Sequence, residues 1–151
     1  MPFVIQFLFT LSLLGFITNL ILGYVQLGQP QFFTLHFVIG LASTFLGVLV
    51  DQMSTSYFLG TRDRLIEENK LDKIPPIILE EAKSIKKKLF AACGMSMIFL
   101  LLNAMIAGCT YIKIIPPLVH HVLAYLIIMS HAQAFQVSRR FHSFRDKLFL
   151  S

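Results

Sequence analysis

Apolar residues gather into four stretches, roughly 3–25, 33–60, 89–109 and 115–138, and charge is nearly confined to the segments between and after them. Each stretch has about the 20 residues that a helix needs to cross a bilayer. In hydrocarbon, backbone amides must be satisfied within the segment itself, so the four stretches are predicted to be helices. The fold expected is an all-α, integral membrane four-helix bundle, one transmembrane domain over residues 1–151.

The punctuation agrees. Gln26-Leu27-Gly28-Gln29-Pro30-Gln31 reads as a tight turn, and Pro116-Pro117 suits the opening of the fourth helix. The long connection reads as helix as well. Arg64 and Glu68 stand four apart, a spacing that pairs on a helix continuing past Gly60. Pro75-Pro76 then breaks the chain and starts a new helix, on which Ile78, Ala82, Ile85 and Leu89 share one face. Glu80 and Glu81 near its start suit the helix dipole, and Lys86, Lys87 and Lys88 approach the membrane surface. Helices 2 and 3 are thus expected to extend as a hairpin over 61–88, presenting either a solvated charged face or a docking surface. In the tail, 139–151, Phe141, Phe144 and Leu148 share a face among Arg139, Arg140, Arg145 and Lys147, which suits an end lying at headgroup level.

Composition sharpens this reading. The chain is 56% hydrophobic and 14% charged, against about 25% charged in soluble domains. The net charge of +5 does not imply nucleic acid, because topology collects the basic residues. Of 13 Lys and Arg, eight lie between Arg62 and Lys88, four in the tail, and only Lys113 elsewhere. The positive-inside rule places the hairpin and both termini in the cytoplasm and the two short connections on the opposite side. The first stretch lacks the basic flank and small-residue cleavage site of a signal peptide and is expected to be retained. Cys93 and Cys109 stand 16 residues apart on one helix, about 24 Å, beyond disulfide reach, and read as small packing residues.

Candidate chemistry rests on polar side chains within the spans, since each must meet a partner there. Counting from the helix ends puts Asn19, His36, Asn103, His120 and His121 within about one turn of a common depth near the short connections. Asp51 and His131 share a second, deeper level, where they could form an ion pair or share a proton. His120, His131 and His142 recur every 11 residues, which returns to nearly the same helix face. Stripes of small and polar residues run along the first helix (Ser12, Gly15, Asn19, Gly23) and the second (His36, Gly40, Ser43, Gly47, Ser54). They suit close helix packing or, alternatively, room for a flat ligand beside a histidine.

Several functions follow. His36 with His120 or His121 could supply two axial ligands of a b-type haem. His36, His121 and Met105 could hold copper, and histidines also suit zinc. The layers could be structural hydrogen-bond glue. Asp51 and His131 could carry protons or ions. No phosphate-binding glycine loop, nucleophile elbow or paired-cysteine motif is present, and no catalytic activity of its own is expected.

The run His36-x3-Gly40-Leu41 followed by Tyr57-Phe58-Leu59-Gly60-Thr61, extending to His121, resembles a pattern in small uncharacterised bacterial multispan membrane proteins. The resemblance implies the same topology, location in a bacterial inner membrane, and a second histidine near the position that Asp51 fills here. It implies no activity. The leading functional expectation is a non-catalytic subunit of a larger membrane complex, possible partners being redox or respiratory subunits. Behind it stand a haem b or metal-binding electron carrier, and proton or ion transport through Asp51 and His131.

Overall fold

The computed structural model describes residues 2–67 and 75–150, with the side chains of 65–67 and 146–150 left aside. The described residues form four long helices: α1 (Pro2–Gly28), α2 (Phe33–Glu67), α3 (Pro76–Tyr111) and α4 (Pro117–Leu150). All four are long and apolar enough to span a membrane. Their exposed surface supports this, because large side chains such as Phe3, Phe45, Leu101 and Met129 point outward. Such a surface is stable in lipid and costly in water.

The prolines act where the sequence places them. Pro30 opens a short 3-10 turn (Pro30–Phe32) that leads into α2. Pro76 is the first residue of α3 and Pro117 that of α4, positions where a missing N–H costs nothing. α3 ends differently. Lys113 takes a positive φ of 62°, and Ile114 N–H turns back to the Cys109 carbonyl at 2.9 Å. This is the left-handed helix stop that glycine usually occupies.

The helices pack in a ring, each against its neighbours in sequence, with α4 closing on α1 and only weak contact across the α2–α4 diagonal. We call the end where α2 and α3 run out to Glu67 and Pro76 the hairpin end, and the other the connection end. The α1–α2 seam uses both small-residue stripes directly. A Cβ on Gly40 would stand 2.8 Å from the Asn19 amide, and one on Gly15 would collide with Ser43. A Cβ on Gly23 would touch the His36 ring at 3.3 Å. The stripes therefore serve close backbone approach.

The hairpin extension is helical as far as Glu67 and from Pro76, and Ile78, Ala82, Ile85 and Leu89 all join the core. The Arg64–Glu68 pairing lies outside the described residues. The tail departs from expectation. Phe141 and Phe144 are buried in the bundle, and the Phe141 ring lies 4.7 Å from that of Phe58. This face is covered by protein and not by lipid, because α2 and α3 extend far enough to offer it a partner.

Candidate functional site

Four helices meet at one buried centre. Ser12 of α1, Asp51 of α2, Ser96 of α3 and His131 of α4 all have zero exposure. The Ser12 hydroxyl donates to the Phe9 carbonyl at 3.0 Å, which uses its only proton. Its oxygen lies 2.6 Å from His131 Nε2 and so accepts from an Nε2–H. The other ring nitrogen, Nδ1, faces Ser96 Oγ at 3.1 Å and Asp51 Oδ2 at 3.6 Å. Phe9 and Phe16 clasp the ring, with centroids at 5.0 and 5.3 Å. Buried Cys93 completes the α3 side.

This arrangement leaves one proton to place. A proton shared between Nδ1 and the carboxylate would sit either on the imidazole, as an imidazolium beside a carboxylate, or on Asp51, as a carboxylic acid beside a neutral imidazole. Neither Asp51 oxygen accepts from an N–H or O–H at hydrogen-bond distance, and the buried Cys93 thiol beside it is the one donor close enough to interact. Removing a carboxylate from water costs several kcal/mol, and a partner 3.6 Å away recovers only part of that.

One turn toward the connection end, all four helices turn apolar or small. Phe16, Gly47, Leu100 and Ile127 each stand four residues from Ser12, Asp51, Ser96 and His131 in turn. A Cβ on Gly47 would meet Phe16 at 2.8 Å and Leu100 at 3.0 Å, so this layer is tightly closed. Toward the hairpin end the polar character continues. The Ser54 hydroxyl donates to Ser138 at 2.8 Å, and Ser138 lies 3.4 Å from His142 Nε2. The Tyr57 ring is 5.3 Å from that of His142, and the Arg145 guanidinium donates to the Tyr57 hydroxyl.

Beyond the apolar layer lies the histidine group. His36 Nδ1–H donates to the Asn19 backbone carbonyl at 3.0 Å, leaving the Nε2 lone pair available. Its ring is 6.0 Å from that of His120, at 90°. His121 stacks on Tyr24 at 4.5 Å, and the Tyr24 and Tyr125 hydroxyls meet at 3.3 Å. The structure thus brings His36, His120, His121 and the Asn19 carbonyl together. Asn103 is only half-buried, and its Oδ1 has no hydrogen-bond partner.

Met105 does not join this group. It is 70% exposed, because two residues beyond Asn103 is a rotation of about 200°. The copper set of His36, His121 and Met105 is not assembled, and no group of three or more His, Cys, Asp or Glu among the described residues is placed to hold a metal ion. A Cβ on Gly23 would touch both His36 and His121 at 3.3 Å, so the two rings close over this glycine.

Ser96, Tyr24 and Tyr125 went unrecognised in the sequence. The usable signal for Ser96 is depth: counted along α3, it lies level with Asp51 and His131. The chain matches no protein-family model, no curated protein and no solved structure.

Proposed function

We propose that this membrane-spanning protein translocates protons, with Asp51 and His131 exchanging the transferred proton at mid-bundle. The observation that carries the reading is the fully buried Asp51 carboxylate, 3.6 Å from His131 Nδ1 and with no stronger donor than the Cys93 thiol beside it. Intramembrane ionisable residues are costly and mark proton relays. The closed layer of Phe16, Gly47, Leu100 and Ile127 on one side, and the run Ser54–Ser138–His142 on the other, support proton access from the hairpin end. The positive-inside argument makes that end cytoplasmic. The resemblance in His36-x3-Gly40-Leu41 favours a bacterial inner membrane.

The test is proton flux. Protein reconstituted in vesicles with an entrapped pH dye is driven by a potassium diffusion potential. Wild type is expected to acidify or alkalinise the lumen faster than protein-free vesicles, and Asp51→Asn to return the rate to baseline. Wild-type flux equal to that of empty vesicles overturns the reading and leaves the centre as structural glue.

A second reading has its own observation. The His36 tautomer leaves Nε2 free to ligate, and the His120 ring stands 6.0 Å away. This pair supports a b-type haem more than His36 with His121 does. A Soret band in the purified protein, lost in His36→Gln, is the expected signature. A role as subunit of a larger assembly has weaker support, since exposed Phe3 and Phe7 on α1 need nothing more than lipid contact.

A further inference from the structure

The histidine group at the connection end has no acidic neighbour. Seven of the eight Asp and Glu lie between Asp51 and Glu81, and the eighth is Asp146. On α2, Asp51 is 15 residues from His36, about 22 Å along the axis. The other titratable groups at this end are Tyr24 on α1, Cys109 and Tyr111 on α3, Lys113 in the short connection and Tyr125 on α4. All are neutral or positive at neutral and acid pH. Three imidazoles share this space. The His36 and His120 ring centroids stand 6.0 Å apart, those of His120 and His121 6.1 Å, and His36 and His121 close together over Gly23. His120 and His121 are buried, and His120 Nδ1 has no hydrogen-bond partner. With no carboxylate present, α4 meets α1 here through aromatic contact: Tyr24 stacks on His121 and its hydroxyl meets that of Tyr125.

We propose that His36, His120 and His121 form an acid-sensitive latch, which holds α4 against α1 and α2 while neutral and parts the helices at the connection end when protonated. A buried cation without a counter-charge is costly. A second imidazolium about 6 Å away adds like-charge repulsion, which salt screens little where water is excluded. Parting the helices admits water and relieves both. The α1–α2 seam is not the place that gives, because Gly15 against Ser43 and Gly40 against Asn19 bring those backbones close. The moving element is therefore α4. Histidine clusters that gain charge on acidification are a general means of switching an interface. The latch lies across the layer of Phe16, Gly47, Leu100 and Ile127 from Asp51 and does not rest on proton transfer there, so either can fail alone.

Spin-label distances test it. In a Cys109→Ala background, with Cys93 buried, Leu27→Cys on α1 and Leu118→Cys on α4 replace exposed residues at the connection end and carry nitroxides. A second pair, Phe3→Cys and Gln136→Cys, reports on the hairpin end. Distances are measured in lipid nanodiscs at about pH 8 and about pH 5, on either side of the ordinary histidine range. We expect the connection-end distance to lengthen reversibly by several ångströms on acidification and the hairpin-end distance to stay constant. His36→Gln with His120→Gln and His121→Gln should keep the short distance at both pH values. Asn19→Asp supplies an independent arm. It keeps all three histidines and adds the missing carboxylate beside Gly40, one turn from His36. It should suppress the lengthening, and it decides the matter if the triple variant fails to fold. A wild-type distance that ignores pH overturns the proposal, as does lengthening that persists in either variant. Equal lengthening of both pairs also overturns it, in favour of general acid unfolding.

Discussion

Ser12 Oγ of α1 and His131 Nε2 of α4 lie 2.6 Å apart in the middle of the bundle, with neither residue exposed. Because the Ser12 proton goes to the Phe9 carbonyl, this bond dictates which nitrogen of His131 holds a proton. A serine on the first helix thus sets the tautomer that faces Nδ1 toward Asp51.

Ser12→Ala should leave a buried Nε2–H without an acceptor, at a cost of about 1–3 kcal/mol. Thr10→Ala, on an exposed residue of the same helix, should change stability by no more than about 0.5 kcal/mol. Thermal unfolding in detergent separates the two. Equal melting temperatures would remove Ser12 from the centre.

The α1–α2 seam yields a sharper contrast between two identical substitutions. Gly40→Ala places a methyl 2.8 Å from the Asn19 side-chain amide, which must swing out of its place in the seam to admit it. Gly94→Ala meets nothing within 4 Å and gains helix propensity, up to about 1 kcal/mol. The first should lower the melting temperature and the second raise it. The same sign for both would show that the seam is looser than described.

The apolar runs made the spans legible, because hydrocarbon leaves a 20-residue apolar segment little choice but helix. Depth was legible too, since each residue advances about 1.5 Å, and counting alone matched Asp51 to His131. Facing was not. The rotation of each helix about its axis is set by packing, which sequence periodicity defines only loosely when lipid-facing and core-facing residues are both apolar. Met105 was therefore assigned inward although it is 70% exposed. Ser96 drew no attention because a lone serine in a span carries little signal. The buried face of Phe141 and Phe144 was misread for a related reason: basic neighbours suggested a lipid surface, while the partner that covers the face comes from helices distant in sequence.

Lys113 occupies the left-handed region with φ 62°, where a side chain crowds its own backbone. Lys113→Gly should stabilise the fold by about 1 kcal/mol, since left-handed geometry costs non-glycine residues roughly 1–2 kcal/mol. A higher melting temperature is the expected outcome. An unchanged or lower one would argue that this connection takes another conformation.

Orientation can be read chemically. Lys83 lies on α3 near the hairpin end and Lys113 in the short connection, both exposed. With Cys109→Ala as background and Cys93 buried, cysteine at 113 should react with a membrane-impermeant maleimide added outside intact cells. Cysteine at 83 should react only after lysis. The reverse pattern would invert the topology, and with it the side from which the proposed proton path would open.

The decisive measurement on the centre is a double-mutant cycle. Asp51→Asn alone removes a charge from beside His131, and His131→Gln alone strands a buried carboxylate. Breaking a buried ion pair from one side costs about 3–5 kcal/mol when the other charge is left behind. The two losses should therefore not add, since the double variant holds two amides and no stranded charge. We expect the double variant to be more stable than the sum predicts, by an amount within the range of about 0.5–3 kcal/mol found for residues in contact. Additivity within about 0.5 kcal/mol would mean that the residues sit side by side without sharing a proton. The single variants also separate the two protonation arrangements. If the centre holds a carboxylic acid beside neutral imidazole, Asp51→Asn is nearly isosteric with the resting state and should be mild. If it holds an imidazolium and a carboxylate, the same change removes the counter-charge and should be severe.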